Sequence, residues 1–492
     1  MTTDPTLWSV RRIHQAFGRR ELSPVELAQA CLQRIAELDP SFGAFCLVDA
    51  ERALADARAA EARWLRGEPL SRLDGIPTTV KDLVDVSGWP TRRGSRTLDD
   101  APPATADAPA VARLRRAGVV FLGKTTTPEF GWKAATDNPR GDLARNPWQP
   151  ERTPGGSSGG AAVAAATGMG ILHIGTDGGG SIRIPAAFTG IFGLKPTFGR
   201  VPAYPPSPFG NLAHLGPMTR TVEDAAAMLT VMAGHDRRDW YALPEDGRDY
   251  VLGLESGIEG YRIGVLAKRG RMPVPTRVEE VFAKALSVLE DLGARLERTA
   301  LPMDSELEEI FDVHWSAGAA NLLERLPPEK RSLVEPGLAE IAARGAALDA
   351  ARLRHAQLAR QSFGSALEQM FARFDLLVSP AVPIGAFAVR RLAPEGLPAG
   401  RWLDWTPFSY PFNLGQQPAC SVPMGTDEDG LPLGLQIVGP KYADHEVLRA
   451  ARAFESRVAI GLPPALSGRP APSGDGRGKV PLSPRRAREG ER

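Results

Sequence analysis

Short apolar runs alternate with helical patterns along most of this chain, and that alternation limits the possible folds more than any other feature. The apolar runs are GIPTTVKDLVDVSG (75–88), AGVVFLGKT (117–125), ILHIG (171–175), YRIGVLA (261–267), FDLLVSP (374–380) and GLQIVG (434–439). Runs of this kind, separated by glycine and proline, are typical of buried strands. Strands that alternate with helices predict an α/β fold in which helices cover both faces of a sheet.

Helix signals dominate the N-terminal part of the chain. Ser23-Pro24-Val25-Glu26 is a capping box with proline at the first helical position, and it predicts a helix from Pro24 to about Leu38. A pattern rich in alanine and arginine predicts a second helix over roughly 50–66. We therefore expect an N-terminal helical segment over residues 1–70 that packs on the core.

The remaining chain divides into a core, a cover and a tail. The main domain is predicted over 71–463, and within it residues 300–372 carry helical patterns with few strand signals, as expected of a cover over the sheet. A second capping pattern begins at Thr276 and predicts a helix that runs to about Leu292. Residues 464–492 are rich in proline, glycine and arginine and predict a disordered tail.

Composition excludes several function classes. The 492 residues carry a formal net charge of +1, which gives no electrostatic footprint for nucleic acid. Cys31, Cys46 and Cys420 are too few and too scattered for a disulfide framework or a zinc cluster. No signal peptide is recognisable, and the longest uncharged run, 153–176, is too weakly apolar to span a membrane. The sequence predicts a cytoplasmic protein without nucleic-acid or membrane partners; its oligomeric state stays open, with a homodimer as one candidate.

The stretch GTDGGGSIRIP (175–185) places three glycines directly before Ser181. Flexible linkers are polar on both sides, whereas this tract lies between the apolar segments GMGILHIG (168–175) and AAFTGIFGLKP (186–196). The glycines are therefore predicted to be held in place, with some group approaching their backbone closely.

Two shorter motifs suggest other chemistries. Gly118 to Thr125 matches the Walker A pattern, but Val, Val, Phe and Leu between its glycines are typical of a strand and not of a phosphate loop. Gly155-Gly156-Ser157-Ser158-Gly159 contains the G-x-S-x-G elbow of serine hydrolases, yet the proline-rich stretch before it does not suit a central strand. The histidines far enough downstream for a triad are His214, His235, His314, His355 and His445.

A lysine can replace histidine as the base when burial keeps it neutral. Lys81 is a candidate because it ends the apolar run GIPTTVK. The alternative is a surface lysine that caps this strand and pairs with Asp82. Only the combination of Lys81 with the glycine-flanked serines and the GTDGGGS tract favours a catalytic role.

Over about residues 5–460 the chain resembles the amidase signature family. The resemblance is densest in GGSSGGAAVAAATGMGILHIGTDGGGSIRIPAAFTGIFGLKPTFGR (155–200) and continues in GIPTTVKDLVDVSG, LGKTTTPEFGW (122–132), RNPW (145–148), FDLLVSPAVP (374–383) and GLPLGLQIVGP (430–440). It implies a large mixed β-sheet sandwiched between helices in a single large domain. It also implies a Ser-cisSer-Lys triad formed by Ser181 as nucleophile, Ser157 as proton relay and Lys81 as base, with a cis peptide before Ser157 and no metal or organic cofactor.

With this resemblance, the glycine tract is expected to stabilise the oxyanion that forms during amide hydrolysis. An attacked carbonyl oxygen becomes an anion that needs preorganised N–H donors, and successive glycines can turn several N–H groups inward. We expect the N–H groups of Gly178, Gly179, Gly180 and Ser181 to form the oxyanion hole. Asp177 and Arg183 are expected to brace this loop by hydrogen bonds.

The substrate class is an expectation drawn from the resemblance and from aromatic content. The loop PEFGW (128–132) makes Gly131 and Trp132 candidate substrate contacts, although Trp132 equally fits a core position. Aromatic residues in YPPSPFG (204–210) and WLDWTPFSYPF (402–412) suggest an apolar wall. Small neutral amides, anilides or carbamates (urethanes) are the predicted substrates, cleaved through a covalent acyl-enzyme. The alternatives are a glutaminase subunit of an amidotransferase and a catalytically silent scaffold with the same fold.

Overall fold

The computed structural model describes residues 3–269, 273–397 and 401–467. Within these residues eleven strands form one sheet, so the predicted α/β class with a mixed sheet is confirmed. In chain order the strands are β1 (Phe45–Val48), β2 (Pro77–Lys81), β3 (Val120–Thr125), β4 (Leu172–Asp177), β5 (Phe192–Lys195), β6 (His214–Thr219), β7 (Arg262–Val265), β8 (Arg295–Arg298), β9 (Leu376–Pro380), β10 (Ala419–Thr426) and β11 (Pro432–Val438).

The sheet mixes parallel and antiparallel pairing. Its spatial order is β1-β3-β2-β4-β6-β5-β10-β11-β9-β7-β8. Strand β2 is parallel to both β3 and β4, and β7 is parallel to both β8 and β9. The strands from β4 through β6, β5, β10 and β11 to β9 pair antiparallel. Strands β2, β3 and β11 are buried along their whole length, as expected of strands covered by helices on both faces.

Fourteen α-helices surround this sheet in the described residues. They are α1 (Val10–Gly18), α2 (Pro24–Phe42), α3 (Ala50–Arg66), α4 (Pro109–Arg116), α5 (Gly159–Thr167), α6 (Arg183–Thr189), α7 (Val222–Met232), α8 (Thr276–Asp291), α9 (Leu307–Glu324), α10 (Pro336–Ala346), α11 (Ala350–Met370), α12 (Pro411–Leu414), α13 (Asp444–Glu455) and α14 (Pro464–Ser467). In the part of the chain that the structure describes, none of the helices combines the length and apolarity needed to cross a bilayer.

The N-terminal segment contains a strand as well as helices. The capping box at Ser23 is present, and α2 ends at Gly43, whose φ of 61° is the left-handed conformation that favours glycine. The chain then enters β1, which pairs antiparallel with β3 at one edge of the sheet. The N-terminal helical segment predicted over residues 1–70 thus contains α1, α2 and α3 and in addition β1, a four-residue strand that periodicity does not reveal.

The structure also bears on the predictions made for the start of α8, for residues 300–372 and for residues 464–492. Helix α8 begins at Thr276 itself, and Pro275 occupies the N-cap without a side-chain hydrogen bond, so the predicted capping pattern is wrong. Residues 300–372 contain α9, α10 and α11 and no strand. Of the tail predicted over 464–492, the first four residues form α14, and the rest lies outside the described residues.

Candidate active site

Lys81 is the last residue of β2, and it is fully buried. Its Nζ lies 2.7 Å from Ser157 Oγ, 2.8 Å from Ser158 Oγ and 2.8 Å from Thr176 Oγ1. Within the described residues Lys81 has no ion-pair partner, so the alternative of a surface lysine paired with Asp82 is wrong. Asp82 pairs instead with Lys124, at 2.9 Å.

Burial sets the protonation of Lys81. Desolvation lowers the pKa of the ammonium well below its usual value, and the charge of Asp177 opposes this shift only weakly. A neutral amine has two N–H donors and one lone pair. Because the Ser158 hydroxyl donates its own proton to the Thr176 carbonyl at 3.0 Å, it can only accept from Lys81. The lone pair is therefore left for the hydroxyl proton of Ser157 or Thr176.

Ser157 stands just before α5, and the Gly156–Ser157 peptide is cis, as the resemblance implies. Gly131 approaches it closely: a Cβ at Gly131 would lie 3.2 Å from Ser157 Oγ and 2.8 Å from Leu83 Cδ1. The φ of Gly131 is 74°, which strains any other residue type. Gly131 thus borders the serine–lysine pair, where the sequence predicts a substrate contact.

Ser181 follows the glycine tract between β4 and α6. Its carbonyl accepts from the Ser158 N–H at 3.1 Å, which joins the two serine-bearing segments. Ser181 keeps 7% of its surface exposed, against 2% for Ser157 and none for Lys81. Of the three, Ser181 is the residue best placed to meet a molecule from outside, and no hydrogen bond within the described residues engages its hydroxyl.

A buried ion pair holds the glycine tract. Arg183 donates to both carboxylate oxygens of Asp177 at 2.9 Å, and its other donors reach Asn413 Oδ1, Gln436 Oε1 and the Ser409 carbonyl. Burial opposes the charge on Asp177, but Arg183 outweighs it and holds the pKa of the carboxyl well below its usual value. The hydrogen bonds expected of Asp177 and Arg183 are present.

The same carboxylate removes one donor from the predicted oxyanion hole. The Gly180 N–H donates to Asp177 Oδ1 at 2.8 Å, so the prediction that it serves a substrate oxygen is wrong. Within the described residues the N–H groups of Gly178, Gly179 and Ser181 make no hydrogen bond to protein. These three donors stay available, and they are the reduced set from which an oxyanion hole can be built.

An aromatic cluster lies directly on the tract. A Cβ at Gly178 would lie 3.0 Å from Trp315, and a Cβ at Gly179 would lie 2.9 Å from both Phe311 and Trp402. Only glycine therefore fits beneath these rings. We name the rings the aromatic wall, and its members are Phe209, Phe311, Trp315, Trp402 and Tyr410.

The aromatic wall mixes predicted and unpredicted residues. Phe209, Trp402 and Tyr410 come from the two segments in which the sequence suggests an apolar wall. Phe311 and Trp315 lie on α9, and sequence reasoning misses them because nothing local ties that helix to the glycine tract. Trp315 stacks on Phe209 with ring centroids 3.8 Å apart.

Trp132 has the surroundings of a core residue. It is 1% exposed, its Nε1 donates to Glu335 Oε2 at 2.7 Å, and its ring packs against Gly337 of α10. These contacts favour the core alternative over a substrate contact.

The competing motifs do not assemble a site in the described residues. Residues Val120–Thr125 of the Walker-like stretch form β3, which leaves no phosphate loop. None of the five downstream histidines has a hydrogen bond with Ser157, Ser158 or Ser181. Another buried lysine, Lys195, donates to the carbonyls of Pro196 and Gln417 and, within the described residues, forms no hydrogen bond with a serine. No group of three or more His, Cys, Asp or Glu side chains in the described residues has the proximity of a metal site.

Known proteins with similar sequences are amidases and amidotransferase subunits. The amidase family model matches residues 26–448. Acylamidase from Rhodococcus erythropolis is 37% identical over 463 residues, which cover 93% of this chain and 97% of that protein. A glutamyl-tRNA(Gln) amidotransferase subunit from Chloroflexus aurantiacus is 36% identical over 474 residues, which cover 91% of this chain and 96% of that protein.

Solved structures of amidases also share the fold of this chain. A bacterial aryl acylamidase of the amidase signature enzymes superposes with a TM-score of 0.85 and 31% sequence identity, covering 91% of this chain and 96% of that one. The family match spans most of the chain, and both the similar sequences and the similar solved structures include amidases. The chain therefore belongs to the amidase family and is a hydrolase of carbon–nitrogen bonds.

Proposed function

We propose that this enzyme hydrolyses small neutral amides with Ser181 as nucleophile, Ser157 as proton relay and Lys81 as neutral base. The observation that carries the proposal is the 2.7 Å contact between the buried, unpaired Lys81 Nζ and Ser157 Oγ. A buried amine without a carboxylate partner favours its neutral form, and only that form can take up a proton.

The reaction proceeds in two balanced steps. Ser181 Oγ bonds to the carbonyl carbon while its proton passes to Ser157 and the Ser157 proton passes to Lys81. The C–N bond then breaks, and the leaving amine takes a proton back from Lys81 through Ser157. In the second step water attacks the ester on Ser181, uses the same relay, and releases the acid. The free N–H groups of Gly178, Gly179 and Ser181 stabilise the oxyanion in both steps.

The aromatic wall supports a neutral aryl or acyl group on the substrate. Buried apolar surface contributes roughly 25 cal/mol per Å², and the wall offers stacked rings next to the proposed oxyanion donors. A charged amino-acid substrate would need a cationic partner there. Anilides, aryl amides and aryl carbamates are therefore the favoured substrates.

A hydrolysis panel tests this function. We expect a nitroanilide and an aryl carbamate to exceed a short aliphatic amide and glutamine in kcat/KM. A carbamate rate at or above the amide rate would assign a urethanase. In Trp132→Ala, unchanged aryl selectivity would place Trp132 in the core, and altered selectivity would make it a substrate contact.

The second candidate is the glutaminase reaction of an amidotransferase subunit. It is favoured by the 36% identity to the Chloroflexus aurantiacus protein, close to the 37% identity to the acylamidase. Glutamine as the preferred substrate in the same panel would select this candidate. It would also contradict the apolar substrate site, because the glutamine α-carboxylate has no place against aromatic rings.

A further inference from the structure

Arg360 on α11 is a buried cation without a carboxylate partner. It is only 9% exposed and forms no ion pair within the described residues. Burial lowers the pKa of its guanidinium to about 10, and the charge of Tyr241 opposes this shift. Buried charges in proteins are normally paired, so an arginine without an acid leaves room for an anion from outside the chain.

The neutral acceptors around Arg360 orient it without cancelling its charge. Nε donates to the Leu414 carbonyl at 2.9 Å and Nη1 to Asn211 Oδ1 at 2.5 Å. Nη2 donates to the carbonyls of Asn211 and Asn413 at 3.2 Å and 3.3 Å. The second N–H on Nη1 has no partner in the described residues, and it is free for a ligand.

Arg360 lines an open groove of about 700 Å³. Lys441 lines the same groove and has no ion pair in the described part of the chain. His314, also on the groove, donates from Nδ1 to the Ile310 carbonyl at 2.7 Å, and burial lowers its pKa. Among the described residues that line the groove the one acid is Glu368. Its Oε1 accepts from Gln417 Nε2 at 3.0 Å and from the backbone N–H of Lys441 at 3.2 Å, two neutral donors that hold the carboxylate in place, and the two cations of the groove outnumber it.

We propose that this groove binds a small organic carboxylate between Arg360 and Lys441. Amide side chains along the groove, Gln361 and Gln416 among them, supply neutral donors for the rest of the ligand. In the described residues no hydrogen bond joins Arg360 or Lys441 to Lys81, Ser157 or Ser181, although Asn413 links Arg360 to the Asp177–Arg183 pair. The proposal does not depend on the proposed hydrolysis.

Calorimetric titration with succinate tests the proposal, with 1,4-butanediol as its neutral counterpart. We expect saturable succinate binding and none for the diol. In Lys441→Met, which removes a partly exposed charge, the Kd should rise by about tenfold or more. Lys284→Met removes an equal charge from an exposed site on α8 and should leave the Kd unchanged.

Further measurements keep the test independent of the catalytic assignment. Protein labelled with a fluorophosphonate should bind succinate as unlabelled protein does; loss of binding after labelling would assign succinate to the active site and overturn the proposal. Equal Kd values in Lys441→Met and Lys284→Met, or binding of inorganic phosphate without binding of succinate, would overturn it too. Arg360→Gln, checked for folding by circular dichroism, should also abolish binding.

Discussion

Ser181 is a residue whose substitution is expected to abolish catalysis without lowering the stability of the fold. Its hydroxyl makes no hydrogen bond within the described residues, so Ser181→Ala removes the proposed nucleophile and leaves no buried group without its partner. We expect hydrolysis of every amide to be abolished with an unchanged melting temperature. A fluorophosphonate should label wild type at Ser181 and should not label the variant, as read by mass spectrometry of peptides. Label on Ser157 or Ser158 would instead support the elbow motif.

Lys81 gives the site its pH dependence. Its pKa lies well below the usual value because of burial. The neutral form is the active one, so kcat/KM should rise as pH rises through this lowered pKa and then level off. Lys81→Arg stays protonated at every accessible pH. It should lose about a hundred- to ten-thousandfold in kcat/KM, the usual range for general acid–base catalysis, and show no rise. Near-wild-type rates in Lys81→Arg would rule out the base assignment.

Some residues of the candidate site can be predicted from the sequence, and others depend on how the chain folds. The family resemblance predicts Lys81, Ser157 and Ser181 as the proposed triad because each lies in a contiguous motif. The Gly180 donor was assigned wrongly because an N–H group carries no mark in the sequence of where it points. Its loss to Asp177 is a property of the folded loop. Trp315 and Phe311 are ordinary helix residues until α9 is packed on the glycine tract.

At the scale of elements, α9 is expected to shape substrate selectivity. Trp315→Ala removes a ring that lies on Gly178 and should open space for bulkier groups. Trp405→Ala is the matched control, because Trp405 is also buried but is not among the nearest neighbours of a Cβ at any glycine of the tract. Each variant should cost about 3–5 kcal/mol of stability. Only Trp315→Ala should change the ratio of kcat/KM between a bulky and a small aryl amide; equal changes in both variants would contradict this role for α9.

The sequence indicates the strands that lie within its short apolar runs. These are β2, β3, β4, β7, β9 and β11. Strands β1, β5 and β8 have four residues each, and β6 contains both glycine and proline. These segments are strands because they hydrogen-bond to neighbouring strands, and most of those neighbours are distant in sequence.

For the whole molecule, the N-terminal segment is expected to be essential. Val10, Ile13 and Leu27 are buried in the main core cluster, and β1 covers the edge of β3. A chain lacking residues 1–70 should fail to fold and should accumulate as aggregate. A chain lacking residues 468–492, for which the sequence predicts disorder, should keep wild-type activity and melting temperature. Both outcomes are read by size-exclusion chromatography and thermal melts, and a folded, active chain without residues 1–70 would contradict this view of the core.

Strand β8, at the edge of the sheet opposite β1, carries charged residues that disfavour pairing with another copy of the chain. Strand β8 has the sequence Arg-Leu-Glu-Arg and ends the sheet on that side. An exposed edge strand invites a strand from another molecule, and charged side chains discourage this. If two copies paired β8 over its full length in the antiparallel sense, Arg295 of each would face Arg298 of the other, and like charges directly opposite are destabilising. Full-length pairing of two β8 strands is therefore disfavoured, and partly unfolded copies should resist joining through β8 in this register.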